Sequence, residues 1–255
     1  MKIHPQIASA ALLLVLGAVA PACFGAGVPA AIVAAAADPH RPPADRARDA
    51  DRKPAETVAF AGLRPGQKIG ELLPGAGYFT RIFSQVVGRR GHVYAEAPPP
   101  GPGGKDYEAG ARALATDPHY ANVTILAQPL ATLHFPVALD MVWTSQNYHD
   151  LHNIPGFDLV KFNRRVFAAL KPGGIYLVLD HAAAAGSGTR DTATLHRIDP
   201  AVVKKEVLAA GFELEASSDL LHRPEDPHTA RVFDPSIRGR TDQFIFKFRK
   251  PAGAR

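Results

Sequence analysis

Residues 68–88, KIGELLPGAGYFTRIFSQVVG, constrain the fold of this chain more than any other stretch. The segment opens as a short apolar run and turns through Pro74-Gly75-Ala76-Gly77. It continues with Phe79, Ile82, Phe83, Val86 and Val87 at the i, i+3, i+4, i+7 spacing of an amphipathic helix. That order predicts strand, glycine turn, helix. Glycines in such a turn permit positive φ and close approach of a ligand, and the unpaired N–H groups of the first helical turn face whatever sits at the strand's end. Two readings stay open on this stretch alone: a cofactor site, or a turn whose glycines serve tight packing.

Beyond Gly88 the chain repeats the strand and helix rhythm. Residues 92–96, HVYAE, read as a second strand ending in Glu96, about twenty residues past the glycine turn. In an open parallel sheet this places Glu96 beside the first turn, where its carboxylate can accept hydrogen bonds from the two hydroxyls of a ribose. A proline and glycine loop over 97–105 leads to helical spacing over 106–115. Residues 123–127 and 139–143 read as the third and fourth strands, the latter running into the polar stretch Thr144 to Asp150. An amphipathic helix over 157–170 is stopped by Lys171-Pro172-Gly173-Gly174, and 175–179 is a continuous apolar strand ending at Asp180-His181. Strands this apolar, alternating with helices, indicate a parallel sheet covered on both faces. The rhythm then changes. After a helix opened by Asp199-Pro200, residues 212–216 and 244–248 read as an antiparallel pair, with Phe244, Phe246 and Phe248 on one face.

The N-terminus is set apart from this domain. Lys2, the apolar run 7–20 and the small-x-small site Ala20-Pro21-Ala22 make residues 1–22 a secretory signal, so an exported, periplasmic protein is expected. Residues 23–43 are expected to be a linker. Cys23, the single cysteine, stands just past the cut and is a candidate for lipid anchoring; alone it forms no internal disulfide. Residues 44–255 form the domain, opening with a charged helical segment, 44–63, broken near Pro54. Its charges serve either as a solvated face or, through Arg48, Arg52 or Lys53, as contacts to an acidic ligand across the glycine turn. The formal charge of +5 is spread thinly, without the clusters a nucleic-acid groove needs, so nucleic acid is not expected as a partner.

Taken in order, the parts resemble the Rossmann-like, S-adenosylmethionine-dependent methyltransferases over about residues 55–251: a mostly parallel seven-stranded sheet, helices on both faces, and a C-terminal antiparallel hairpin. ELLPGAG, residues 71–77, stands where that family has an acidic residue and a glycine turn. LKPGGIYLVLDH, residues 170–181, is similar to its helix-turn-strand segment after the substrate site. More narrowly, residues 45–66 with TSQNYHD and LHRIDP resemble a group of exported bacterial proteins described only as predicted methyltransferases. The resemblance implies S-adenosylmethionine as cofactor, held by Glu71, Gly75, Gly77, Tyr78, Glu96, Gln128 and Asn147. Two positions depart from the pattern: Leu73 replaces a glycine, and Gln128-Pro129 replaces an acidic pair.

Methyl transfer requires a nucleophile placed in line with an already activated methyl group, and a base only when that nucleophile arrives protonated. The strand-end residues Tyr148, His149 and Asp150 are the candidates, with Tyr148 or His149 as base and Asp150 orienting the imidazole, which titrates near neutrality. No metal centre is expected. His149, His152, His181 and His196 could in principle gather around zinc, but His-x-x-His is a poor pair on a helix. No GxSxG elbow supports a hydrolase. The alternative from another class is an exported binding module that keeps the fold without turnover.

Overall fold

The computed structural model describes residues 27–100 and 104–253. The expected signal and Cys23 lie outside the described residues. Among the described residues no helix is long and apolar enough to cross a membrane.

The described chain opens with α1 (Ala30–Ala36), inside the segment expected to be a linker. Its run of alanines has high helix propensity, and Ile32 and Ala35 are buried against neighbouring helices. Packing of that stripe, invisible in a composition reading, turns this part of the segment into structure. The charged stretch then forms α2 (Pro43–Arg46), α3 (Asp49–Arg52) and α4 (Pro54–Ala61). The break falls at Lys53, forced out of the right-handed region by the proline after it and held at φ 42°.

Seven strands stand in the expected places: β1 (Lys68–Leu72), β2 (His92–Glu96), β3 (Val123–Leu126), β4 (Leu139–Ser145), β5 (Leu170–His181), β6 (Glu213–Ser218) and β7 (Gln243–Arg249). Between them lie α5 (Tyr78–Val87), α6 (Ala109–Leu114), α7 (Tyr148–Leu151), α8 (Leu159–Ala169) and α9 (Pro200–Ala209). The spatial order is β3-β2-β1-β4-β5-β7-β6. All pairs are parallel except those made by β7, which runs antiparallel to both β5 and β6. One difference from the sequence reading is local: the Lys171-Pro172-Gly173-Gly174 stop is absorbed into a long β5 through a register shift opposite β4.

Alternation along the strands divides the core. Ile69, Met141, Trp143 and Leu177 face α1, α4 and α5, while Val142, Tyr176 and Val178 face α8 and α9. Phe244, Phe246 and Phe248 stack on the second side, as their spacing predicts. The order of strands reverses between β1 and β4, and ligands of such sheets bind outside the carboxyl ends at that reversal.

Candidate functional site

At the reversal lies a cavity of about 390 Å³ whose walls include Arg48, Arg52, Glu71, Gly75, Tyr78, Tyr107, Glu108, Asn147 and Asp150. The turn from β1 to α5 makes its floor. Gly75 and Gly77 both have positive φ, and so does Leu73 at φ 50°, a conformation that glycine adopts without steric cost. At this departure from the glycine pattern, Leu73 holds a left-handed backbone that glycine would adopt at less cost. Asn147 braces this turn: its amide donates to the carbonyls of Leu72 and Leu73, at 3.2 and 3.0 Å, and its Oδ1 meets the Thr144 hydroxyl. Asn147 is thus a support of the turn, with its hydrogen-bonding groups engaged. Gly77 lies beneath α6, where an added Cβ would meet Leu114 Cδ1 at 2.8 Å. It serves close packing and lies off the cavity wall.

Three carboxylates surround the turn. Glu71, at the end of β1, accepts from Thr80 Oγ1 at 2.6 Å and is pushed up to about 8 by burial. Glu96, at the end of β2, is fully buried with neither carboxylate oxygen hydrogen-bonded; burial first, then the neighbouring Glu108, push it up to about 8. Glu108 accepts the Gly75 N–H at 2.6 Å and is itself raised to about 7 by burial. Glu96 is not on the cavity wall. The stretch 107–110 stands over the turn, with Glu108 at the wall and Gly110 so close to Ala76 that a Cβ there would meet backbone at 2.8 Å. Sequence reasoning missed Glu108: it falls inside the expected 106–115 helix but stands at the N-cap of α6, where helical spacing does not mark which side chain reaches the turn.

The opposite wall comes from the N-terminal helices. Tyr78 donates to Asp49 at 2.5 Å, and Asp49 is gripped by both terminal nitrogens of the buried Arg41. Arg52 lies over the rings of Tyr78 and Phe79, with its guanidinium carbon 4.2 and 4.8 Å from their centroids, and donates to Ser145 Oγ at 3.1 Å. Burial and the adjacent Arg48 lower it to about 10. Arg48 and Arg52 line the cavity, whereas Lys53 turns away to the Leu220 carbonyl. The same two arginines also line an adjoining cavity of about 130 Å³ with His181, Phe233 and Thr241.

The candidate catalytic residues separate. Tyr148 is corrected: it sits in the core beneath the sheet, donating to Glu206 at 2.9 Å and accepting from Asn163 at 2.8 Å, and its pKa is raised well above the usual phenol range. Neighbours in a one-turn helix project to different sides, so Tyr148 and His149 could not both face the cavity. His149 is buried, and the group that orients it is Asp180, not Asp150. Asp180 accepts the His149 N–H and the ring Nδ1, both at 2.8 Å. Burial would lower His149, but Asp180 overrides it and holds the imidazole above its ordinary value. Asp150 is half exposed on the cavity wall, 3.3 Å from His149 Nε2. His196, brought in by a distant loop, lies 3.3 Å from the same nitrogen. His152 pairs with Glu206 on the other side of α7, and His181 meets Thr241 at 2.9 Å. Gln128 is spent on the His134 carbonyl and does not reach the cavity, which corrects its implied contact with a cofactor. Asp180 carried the same signal as Glu96, a carboxylate at a strand end.

No family model matches the chain. Two curated relatives, the ubiquinone/menaquinone biosynthesis C-methyltransferases UbiE of the Vibrio cholerae O1 strains O395 and N16961, are each 32% identical over 131 residues. The match takes in 49% of this chain and 45% of theirs, so the chain spans about half the length of the curated relatives it matches. Among solved structures, an S-adenosylmethionine-dependent methyltransferase of Aquifex aeolicus superposes with a TM-score of 0.55 at 16% identity, covering 76% of this chain and 88% of that one. One from Mesorhizobium loti gives 0.55 at 20% identity, covering 79% and 99%. Aeropyrum pernix fibrillarin, solved with S-adenosyl-L-methionine natively bound, gives 0.51 at 16%, covering 79% and 76%.

Proposed function

We propose that this chain, a member by fold of the Rossmann-like methyltransferases, binds S-adenosylmethionine at the strand reversal and transfers its methyl group to a small-molecule acceptor. The observation that carries the reading is the cavity at the strand reversal, lined by the glycine turn, Glu71 and the start of α5. Glu96 lies behind that wall at the end of the second strand, buried with neither oxygen hydrogen-bonded, and a vicinal diol could meet it only if the wall opened. Glu71 at the end of β1 and the uncapped start of α5 provide the acidic and the N–H-bearing surfaces for the rest of such a ligand.

The cofactor supplies a methyl group already activated as a sulfonium. The chain's own contribution is placement and exclusion of water. The aromatic walls of Tyr78 and Phe79 and the cover of Arg52 enclose the cavity, and Asp150 faces it with His149 directly behind. An acceptor arriving protonated can give its proton to a carboxylate oxygen of Asp150 on the cavity wall. The reading carries export with it, through residues 1–22, and Cys23 as an anchor candidate.

Calorimetry with S-adenosylmethionine and S-adenosylhomocysteine tests the proposal. Saturable binding by the parent chain, reduced at least tenfold by Glu96→Ala, is the expected result. A second reading, the fold retained for binding without turnover, draws on the cover over the glycine turn by residues 107–110. Absence of binding at any accessible concentration, or binding indifferent to Glu96→Ala, would sink the enzyme reading.

A further inference from the structure

His149, Asp150 and His196 point three potential ligand atoms at one spot. The His149 Nε2 to His196 Nδ1 distance is 3.3 Å, His149 Nε2 to Asp150 Oδ1 is 3.3 Å, and His196 Nδ1 to Asp150 Oδ1 is 3.5 Å. Each edge of this triangle exceeds the 2.7 to 3.2 Å of a well-formed hydrogen bond to nitrogen. All three are close to the edge of a tetrahedron around an ion with bonds of 2.0 to 2.1 Å, which is about 3.3–3.4 Å. The backing fits as well. Asp180, fully buried, takes the proton of His149 Nδ1 at 2.8 Å and so turns the Nε2 lone pair towards the spot, the carboxylate–histidine arrangement that orients metal ligands. His196 holds a left-handed backbone at φ 55°, a conformation uncommon outside glycine that aims its ring inward.

We propose that these three side chains form a binding site for a divalent first-row transition ion of the zinc class, with two imidazoles and one carboxylate as ligands and the remaining position open to water or an acceptor's oxygen. Asp150 brings the site to the wall of the cavity. Ligation through His196 Nδ1 leaves the proton on its Nε2, so the exposed Arg231, now 3.0 Å from that nitrogen, steps away on loading. A second group, Asp38, His40 and His119, differs in the decisive respect. Its Asp38 to His119 contact is 2.7 Å, an ordinary hydrogen-bonded pair with no room for an ion between. The site stands independently of any cofactor.

The test uses the full chain, stripped with a chelator and titrated with Co(II) as a visible probe. One equivalent should bind, giving d–d absorption of tetrahedral strength that Zn(II) then displaces. Asp150→Asn and His196→Asn, both at solvent-accessible positions and the latter tolerant of left-handed backbone, should each abolish the absorption. Asp180→Asn should weaken binding roughly 10–100-fold, while His119→Ala should leave it unchanged. No tetrahedral spectrum, a spectrum that survives both Asp150→Asn and His196→Asn, or one lost in His119→Ala, overturns the proposal.

Discussion

Glu96 is the residue whose physics is most exposed to test. Its carboxyl has an ordinary value of 4.5 and stands near 8 in the fold, so the folded chain holds a proton that the unfolded chain has released. The sign comes from linkage: where the native state binds more protons, stability falls as pH rises, here from about 4.5 towards 8. Glu71 and Glu108 are shifted the same way. The ligand-free chain should therefore lose thermal stability across that window, and Glu96→Gln should flatten the loss and stabilise at pH 8 by on the order of 2 kcal/mol. Melting curves of the two chains from pH 5 to 8 check this. A substitution that raises stability while weakening ligand binding is the mark of a residue kept for function. A variant that melts below the parent at pH 8 would mean that Glu96 has a structural partner after all.

At the scale of elements, β5 and α7 are joined by one side chain. Asp180 at the end of β5 accepts from the His149 backbone and ring and from the His181 backbone, and it is wholly buried. Burial would raise it, but the histidine contacts hold its carboxyl below the usual range. Asp180→Asn replaces an acceptor with a group that also donates, and should cost about 3 kcal/mol in urea unfolding. An unchanged midpoint would show that α7 is held by packing alone. The same junction shows what was legible beforehand. Strand positions, the glycine turn and the strand-end place of Glu96 rest on period-two and period-3.6 patterns and on the spacing between elements, all local in sequence. The orientation of α7 was not. Which of Tyr148 and His149 enters the site depends on how a single helical turn seats against Asp180, about thirty residues on. Glu108 stands at the N-cap of α6 and His196 in a loop, positions that helical spacing does not aim, and only the folded chain places them.

Over the whole molecule, the site is roofed by parts distant in sequence: α3 from one end and the 219–242 connection between β6 and β7 from the other. That connection brings Phe233 and Arg231 against His196, and Arg238 and Thr241 to the smaller cavity. So long an irregular segment must be fastened, and Arg197 is its fastening. The fully buried guanidinium reaches Asp226 at 2.8 Å, the Ala230 carbonyl at 3.1 Å and the Ala182 carbonyl at 3.0 Å. Asp226 in turn accepts from the backbone of His228 and Asp242. A buried pair of this kind need not add net stability over an apolar substitute, but removal of one partner strands the other's charge. Arg197→Met should therefore cost about 3–5 kcal/mol and open the connection to trypsin at Arg231, Arg238 and Arg240, with cleavage there preceding loss of the sheet's circular dichroism. Arg197→Met combined with Asp226→Leu should recover only part of the stability, because the backbone N–H groups of His228 and Asp242 then lose their acceptor, and the connection should remain cleavable. If Arg197→Met melts and resists digestion like the parent, then packing of Val232, not this ion pair, holds the roof over the site.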